Sequence, residues 1–374
     1  MQRPRILVVF GTRPEAIKMA PVVAALRARG TLEVRVAVTA QHREMLDQVL
    51  AIFGIVPDID LDLMQAGQSL DALAARMLTA FGAALDAERP DRVLVHGDTL
   101  TTMVATLAAY FRRVPVAHVE AGLRSGDLLS PWPEEGNRRI AGTIADLHFA
   151  PTPQAAAALR AENVAGAIHV TGNTVIDALL AMRDRLVREP GLAAGLDPLV
   201  ARFAGKRIVA VTTHRRENWG EGMARVAAAI ARVADRGDVA VIFPVHPNPQ
   251  VRDAMAPLRR HANVALVEPL DYPHFVRLMA LADVMLTDSG GVQEEAPSLG
   301  TPVLVMRDTT ERPEGVAAGT ATLVGTDPDA IVNHIFALLD DDRAHAAMAR
   351  AHNPYGDGQA APRIARIVED AHRR

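Results

Sequence analysis

Short runs of aliphatic and β-branched residues alternate with longer alanine-rich helical runs along most of the chain. Successive parallel strands need a crossover between them, usually a helix, so this alternation points to parallel α/β architecture. The spacing predicts strands over Arg5–Phe10, Val34–Thr39, Val93–Val95 and Val114–Val119. Helices are expected over Pro14–Ala28, Gln41–Phe53, Leu70–Glu88 and Thr101–Arg112. A second series follows Thr171, opening with a helix over Thr174–Val187. Its strands are expected over Arg207–Thr212, Val239–Val245, Val264–Val267, Val284–Thr287 and Val303–Met306. Helices Gly222–Asp235, Gln250–Arg259, Tyr272–Leu281, Gly290–Leu299 and Pro328–Leu339 accompany them. Pro190–Pro198, with two prolines and two glycines, reads as a connector. The expectation is an α/β fold of two doubly wound units, residues 1–172 and 173–356, with the last helix (357–374) packing back on the first.

Composition narrows the chemistry. The 374 residues suffice for two ordinary domains, and the 49% hydrophobic content contains no run long enough to be a membrane helix. The apolar run Ile6–Phe10 is too short for a secretory signal, so the cytoplasm is the default location. Cysteine is absent, which excludes disulfides, thiolate metal sites and cysteine nucleophiles. The net charge of −4 is dispersed, which argues against a nucleic-acid surface and for local binding of any anion by individual Arg, Lys and His residues. Asp58, Asp60 and Asp62 alternate like metal ligands but read as an exposed strand edge, and the histidines lack zinc-helix spacing, so no metal is expected.

Three acidic residues in the first half look aimed at a ligand: Asp98, Glu120 and Glu134. The first two follow strand-like runs, and ligands of open parallel sheets bind beyond the carboxyl ends of the strands. Converging carboxyl groups can serve as acid and base together. The structural alternatives are a turn cap for Asp98, a buried ion pair for Glu120 and a loop carboxylate near Arg138 and Arg139 for Glu134. Gly11-Thr-Arg-Pro-Glu15 joins the first strand to the first helix without a GxGxxG fingerprint, and Arg13 and Lys18 place cations there. Asp288-Ser-Gly-Gly291 is a second turn suited to phosphate, with Ser289 a possible N-cap and Gly290 and Gly291 permitting close approach. Glu295 lies beyond it, where a carboxylate could accept from a ribose diol. His214 follows another predicted strand and could stabilise a departing phosphate, or be a buried structural histidine.

The runs Phe10–Lys18, His96-Gly-Asp-Thr99, His118–Arg124, Pro131–Glu135, Thr171–Thr174, His214–Glu217, Asp288–Gly291 with Gln293–Glu295, and Arg307–Glu314 span most of the chain in order. In these runs the sequence resembles the non-hydrolysing UDP-N-acetylglucosamine 2-epimerases. The resemblance implies two Rossmann-like domains facing across a cleft, as in GT-B glycosyltransferases. It implies epimerisation at C2 through elimination of UDP to 2-acetamidoglucal, in the synthesis of surface polysaccharide precursors. It implies UDP-N-acetylglucosamine and UDP as ligands, no cofactor, and a homodimer. Asp98, Glu120 and Glu134 match the acid/base positions, His214 a diphosphate contact, and Arg13, Ser289, Gly290 and Glu295 UDP-binding positions. Lys18 and Gly291 lie in the same two runs. Gln41, His42, Gln68, Arg215 and His246 match a second, activating substrate site, with Gly67 where some members carry arginine. Two rival readings are a retaining glycosyltransferase, which would need an acceptor pocket, and a non-catalytic sugar-nucleotide sensor, which would not need three carboxylates.

Overall fold

The computed structural model describes residues 3–39, 43–64, 67–215 and 218–373, apart from the side chain of Glu44. Residues up to Ala178, together with those from Gly356 onward, form one compact unit; Leu179–Tyr355 form the other. Among the described residues the first unit holds strands β1 (Arg5–Phe10), β2 (Glu33–Val38), β3 (Ile59–Asp60), β4 (Arg92–His96), β5 (Val116–Val119), β6 (Leu147–Ala150) and β7 (Ala167–Val170). The second holds β8 (Arg207–Thr212), β9 (Val239–Pro244), β10 (Val264–Val267), β11 (Val284–Thr287), β12 (Val303–Val305) and β13 (Ala321–Leu323). The strand orders are β3-β2-β1-β4-β5-β6-β7 and β10-β9-β8-β11-β12-β13, and every pairing is parallel.

Both faces of each sheet are covered, which is why the central strands are apolar without alternation. In β1, Ile6, Val8 and Phe10 pack with Met19, Val22, Val23 and Leu26 of helix Arg13–Ala28. Leu7 and Val9 face the other way, onto Leu73, Met77, Phe81 and Leu85 of helix Leu70–Glu88. The second sheet repeats the pattern, with Val209, Val211, Val241 and Phe243 against Met223, Val226 and Ile230 of helix Glu221–Asp235.

The last helix, Ala360–Ala371, belongs to the first unit and buries Ile364, Ala365 and Val368 in the same core as Met19 and Leu26. Asp177 satisfies two orphan amides at its start, accepting from Ala361 N at 2.8 Å and Ala360 N at 3.2 Å. Near its other end, Glu369 accepts from the Thr31 hydroxyl at 2.5 Å and pairs with Arg29.

Several elements differ from the sequence expectation. Pro190–Leu196 is a 3-10 helix leading into helix Asp197–Arg202, so the proline- and glycine-containing segment is a helical connector. The expected helices over 250–259 and 290–299 each end in a 3-10 stretch, at Ala256–Arg260 and Ala296–Leu299, both opened by a proline at their start. Strands β6 and β7 and helix Pro153–Ala161 between them had no counterpart in the sequence reading; each strand has only four residues. Asp58–Asp62 lies at an edge strand as expected, where Arg35 pairs with Asp58 at 2.8 Å and Arg43 with Asp60 at 2.6 Å.

Candidate active site

The first sheet reverses strand order between β1 and β4, and the second between β8 and β11. The crevice beyond the carboxyl ends at such a reversal is where doubly wound sheets bind ligands. In this chain the loops at these points are Gly11–Thr12 and Gly97–Thr99 in one unit, and Thr213–Arg215 and Asp288–Ser289 in the other.

In the first unit, buried Glu15 ties the two loops together. Its Oε2 accepts from Gly11 N at 3.0 Å and Thr12 N at 2.8 Å, completing a capping box with the Thr12 hydroxyl. Its Oε1 accepts from the Thr99 hydroxyl at 2.7 Å and the Thr102 hydroxyl at 3.4 Å. Burial pushes this carboxyl above its usual range, against the pull of those donors. Gly11 has no room for a side chain: an added Cβ would lie 2.1 Å from Thr39 Oγ1. Gly97 takes a left-handed φ of 65°, and its carbonyl accepts from the buried His118 Nε2 at 2.7 Å.

Asp98 and Glu120 meet at this point. The Asp98 carboxylate is bound by the Arg138 guanidinium, and its backbone carbonyl accepts from Asn137 Nδ2 at 2.9 Å. Burial pushes the Asp98 carboxyl up; Arg138 opposes the shift and Glu120 adds to it. Glu120 Oε2 accepts from Lys18 Nζ at 2.5 Å and lies 3.7 Å from His96 Nε2. Glu120 also sits at φ 59°, a conformation uncommon outside glycine and found at functional sites. Burial drives the His96 ring down to about 4, so a neutral imidazole backs the carboxylate at neutral pH.

In the second unit the corresponding tie is Asp288, fully buried at the end of β11. Its Oδ2 accepts from the Thr213 hydroxyl at 2.6 Å, Arg215 N at 3.0 Å, His214 N at 3.1 Å and Asn218 Nδ2 at 3.3 Å. Its Oδ1 lies 3.1 Å from His214 Nδ1. Burial pushes the Asp288 carboxyl up, but these donors outweigh it and hold the group below its usual range. The His214 side chain is 44% exposed, so it is not a buried structural histidine, and it stacks on His246 with ring centroids 6.3 Å apart.

Ser289 occupies the N-cap position of helix Gly290–Glu295 without a capping bond from its side chain. A Cβ on Gly290 would come within 4.0 Å of both the Arg215 and Arg312 guanidinium groups, so cations flank this turn. Glu295 is buried beside it, its Oε2 3.7 Å from where a Gly291 Cβ would stand. The turn thus offers glycine backbone, neighbouring positive charge and one carboxylate.

Not every candidate falls into these clusters. Glu134 opens helix Glu134–Ile144 and is half-buried, while Asn137 and Arg138 of that helix hold Asp98. Its neighbour Glu135 takes the structural role: it is fully buried, accepts from Ser125 N at 3.0 Å and pairs with Arg139 at 2.9 Å. Arg13 is exposed in the first turn of its helix, and Lys18 reaches Glu120. Among the activator positions, Gln41 and His42 lie outside the described residues. Gln68 donates to Met64 Sδ at 3.1 Å, and Arg215 lies 3.5 Å from Glu311. Glu15, Arg138 and Asp288 were not singled out from sequence; a carboxylate at the third helical position after Thr12 was the one available signal, for Glu15.

A family model described as UDP-N-acetylglucosamine 2-epimerase matches residues 24–369. The chain is 52% identical over 373 residues to UDP-N-acetylglucosamine 2-epimerase of Escherichia coli, covering 98% of each. It superposes on the Neisseria meningitidis UDP-GlcNAc 2-epimerase bound to UDP-GlcNAc with a TM-score of 0.88, at 44% identity, over 98% of this chain and all of that one. The Methanocaldococcus jannaschii enzyme in complex with UDP-GlcNAc and UDP matches with a TM-score of 0.78, at 30% identity, over 97% of this chain and 99% of that one. On the strength of that family match and those full-length similarities, the chain belongs to the UDP-N-acetylglucosamine 2-epimerase family.

Proposed function

We infer that this chain interconverts UDP-N-acetylglucosamine and UDP-N-acetylmannosamine by inverting C2 of the sugar, supplying a precursor for surface polysaccharide. The observation that carries the reading is the meeting of Asp98 and Glu120 at one switch point, each with its own cation, Arg138 and Lys18. Family membership and relatives that hold UDP-GlcNAc support the substrate.

The C2 hydrogen is not acidic, so the route we propose runs through elimination. A carboxylate takes the C2 proton as the C1–O bond breaks, and the bonding electrons leave with UDP. This gives 2-acetamidoglucal and UDP. A carboxylic acid then protonates C2 from the opposite face while a UDP oxygen re-forms the bond to C1. Every atom is returned, so no cofactor is required. The two faces of C2 need separate groups, and Asp98, Glu120 and Glu134 supply them. Asp98, its carboxyl pushed up by burial, suits the acid in one direction, and Glu120 beside Lys18 suits the base.

The departing diphosphate meets His214, with Arg13, Lys18 and the Ser289-Gly290-Gly291 turn as the remaining UDP-binding groups. Glu295 accepts from the ribose hydroxyls. The activator positions Gln41, His42, Gln68, Arg215 and His246 provide a second substrate site, read out as sigmoidal dependence of rate on UDP-N-acetylglucosamine. A cytoplasmic location fits a nucleotide-sugar substrate, and no described helix is long and apolar enough to cross a membrane.

A homodimer is the assembly we propose. Helices Leu100–Phe111 and Glu134–Ile144 of the first unit pack together and leave Tyr110, Phe111 and Ile140 exposed, an apolar surface suited to a second copy. Light scattering on the intact protein reads that state directly.

The test of the activity is incubation with UDP-N-acetylglucosamine alone and separation of the products. The reading expects a second UDP-N-acetylhexosamine to accumulate to equilibrium from either side. Turnover only with an added sugar acceptor would mean a transferase, and binding without turnover a sensor.

A further inference from the structure

A diphosphate contact at His214 depends on which ring nitrogen carries hydrogen, and the surroundings of that ring answer the question. Asp288 is fully buried, and its oxygens are surrounded by donors from Thr213, His214, Arg215 and Asn218. An ionised carboxylate has no hydrogen to give, and a bare ring nitrogen 3.1 Å from its Oδ1 would set two lone pairs against each other, so the contact favours N–H at Nδ1. That commits Nδ1 and leaves Nε2 as the atom available to a ligand. In the neutral ring Nε2 is a bare acceptor, and the oxygens of ionised UDP are acceptors too. The two can meet only if Nε2 gains a hydrogen.

We propose that Asp288 is a positioning residue that fixes His214 with Nδ1–H on its carboxylate, so that UDP binding draws one proton from solution onto His214 Nε2. This rests on the reading of His214 as a diphosphate contact. The proton comes from the buffer, and the resulting imidazolium lies between two anions, Asp288 and the diphosphate. Such an outer partner fixes both the tautomer and the orientation of a histidine.

The other charged and titratable groups around the ring do not take over this part. His246 stacks on it, but its Nδ1 accepts from Asn248 N at 3.2 Å, and burial together with His214 pushes its ring below the usual value. Arg215 follows in the chain and lies 3.5 Å from Glu311, while Arg312 beside Gly290 is bound to Glu294. Both guanidinium groups are permanently charged and take up no proton.

The experiment is calorimetric titration of the intact protein with UDP at about pH 8 and 9, where the terminal phosphate is fully ionised, in buffers of different ionisation enthalpy. The wild-type protein is expected to take up a measurable fraction of a proton per UDP bound, larger at the lower pH than at the higher. His214→Gln should bind UDP with uptake near zero. Asp288→Asn should bind roughly tenfold more weakly, the order of effect for losing an orienting partner, with uptake reduced by half or more. Uptake undiminished in His214→Gln, or absent from the wild type, overturns the proposal while leaving UDP binding intact. Failure of the wild-type protein to bind UDP at all defeats the underlying reading as well. If Asp288→Asn does not fold, nitrogen-15 spectra of the wild-type histidines decide. Free protein should show Nδ1–H with a bare Nε2, and UDP should protonate Nε2. A neutral free ring carrying its hydrogen on Nε2 contradicts the proposal.

Discussion

The two switch points share one topology and use it differently. Each sheet reverses at its centre, and in each unit one buried carboxylate joins the two loops at the reversal. In the first unit that carboxylate, Glu15, comes from the helix after β1 and reaches the loop after β4. In the second, Asp288 comes from the loop after β11 and reaches back to the loop after β8. The first arrangement leaves the outer positions to Asp98 and Glu120, and the second leaves them to His214 and the Ser289-Gly290-Gly291 turn. One crevice is therefore suited to proton transfer and the other to holding an anion. The sheet provides the place, and the loop residues decide the chemistry.

The contrast is broken most directly at the carboxylates. Asp98→Asn and Glu120→Gln should each lower kcat by roughly a hundredfold or more, the scale of general acid–base groups, with UDP affinity little changed. Equal losses of UDP affinity and kcat would merge the two roles. Next in size, Glu295→Ala should weaken UDP binding by about ten- to a hundredfold, the loss of one or two hydrogen bonds to a charged group. Calorimetry with UDP checks it, and unchanged affinity would put the ribose elsewhere.

Smaller effects separate the two tying carboxylates. Asp288→Asn should cost about 1–3 kcal/mol of stability at neutral pH, because its amide would face N–H groups it cannot satisfy. Glu15→Gln should cost less, since the hydroxyls of Thr99 and Thr102 can turn to accept from an amide. The pH trends should also oppose each other. The folded Asp288 carboxyl lies below its ordinary 3.8, so its contribution is present above that value and lost as pH falls through the folded one. The folded Glu15 carboxyl lies above its ordinary 4.5, so its contribution is full below that value and is lost as pH rises through the folded one. Denaturant melts of both variants at about pH 2.5, 4 and 7 test this: the Asp288 effect should shrink between the lower two and the Glu15 effect between the upper two, and identical trends would erase the distinction.

Much of this division was legible in the residues. The apolar runs placed β1, β4, β8 and β11 within a residue of their observed bounds, because buried parallel strands are continuously aliphatic. Asp98, Glu120, His214 and Ser289 could be singled out because they directly follow such runs. Strands β6 and β7 escaped because a histidine interrupts each short run, His148 in Leu147–Ala150 and His169 in Ala167–Val170, so neither reads as a continuous aliphatic stretch. Arg138 and Asp288 escaped for another reason. Their importance lies in partners 40 and 74 positions away, Asp98 and His214, and only folding brings those together.

The central claim is that carboxylates, Asp98 and Glu120 among them, move the C2 proton as UDP departs and returns. Turnover in deuterated water, followed at C2 of both epimers by mass spectrometry or proton NMR, tests it most directly. Elimination and re-addition predict one deuterium at C2 of the product and, as the reaction reverses, of recovered substrate. Epimerisation with the original hydrogen fully retained at C2 would contradict it.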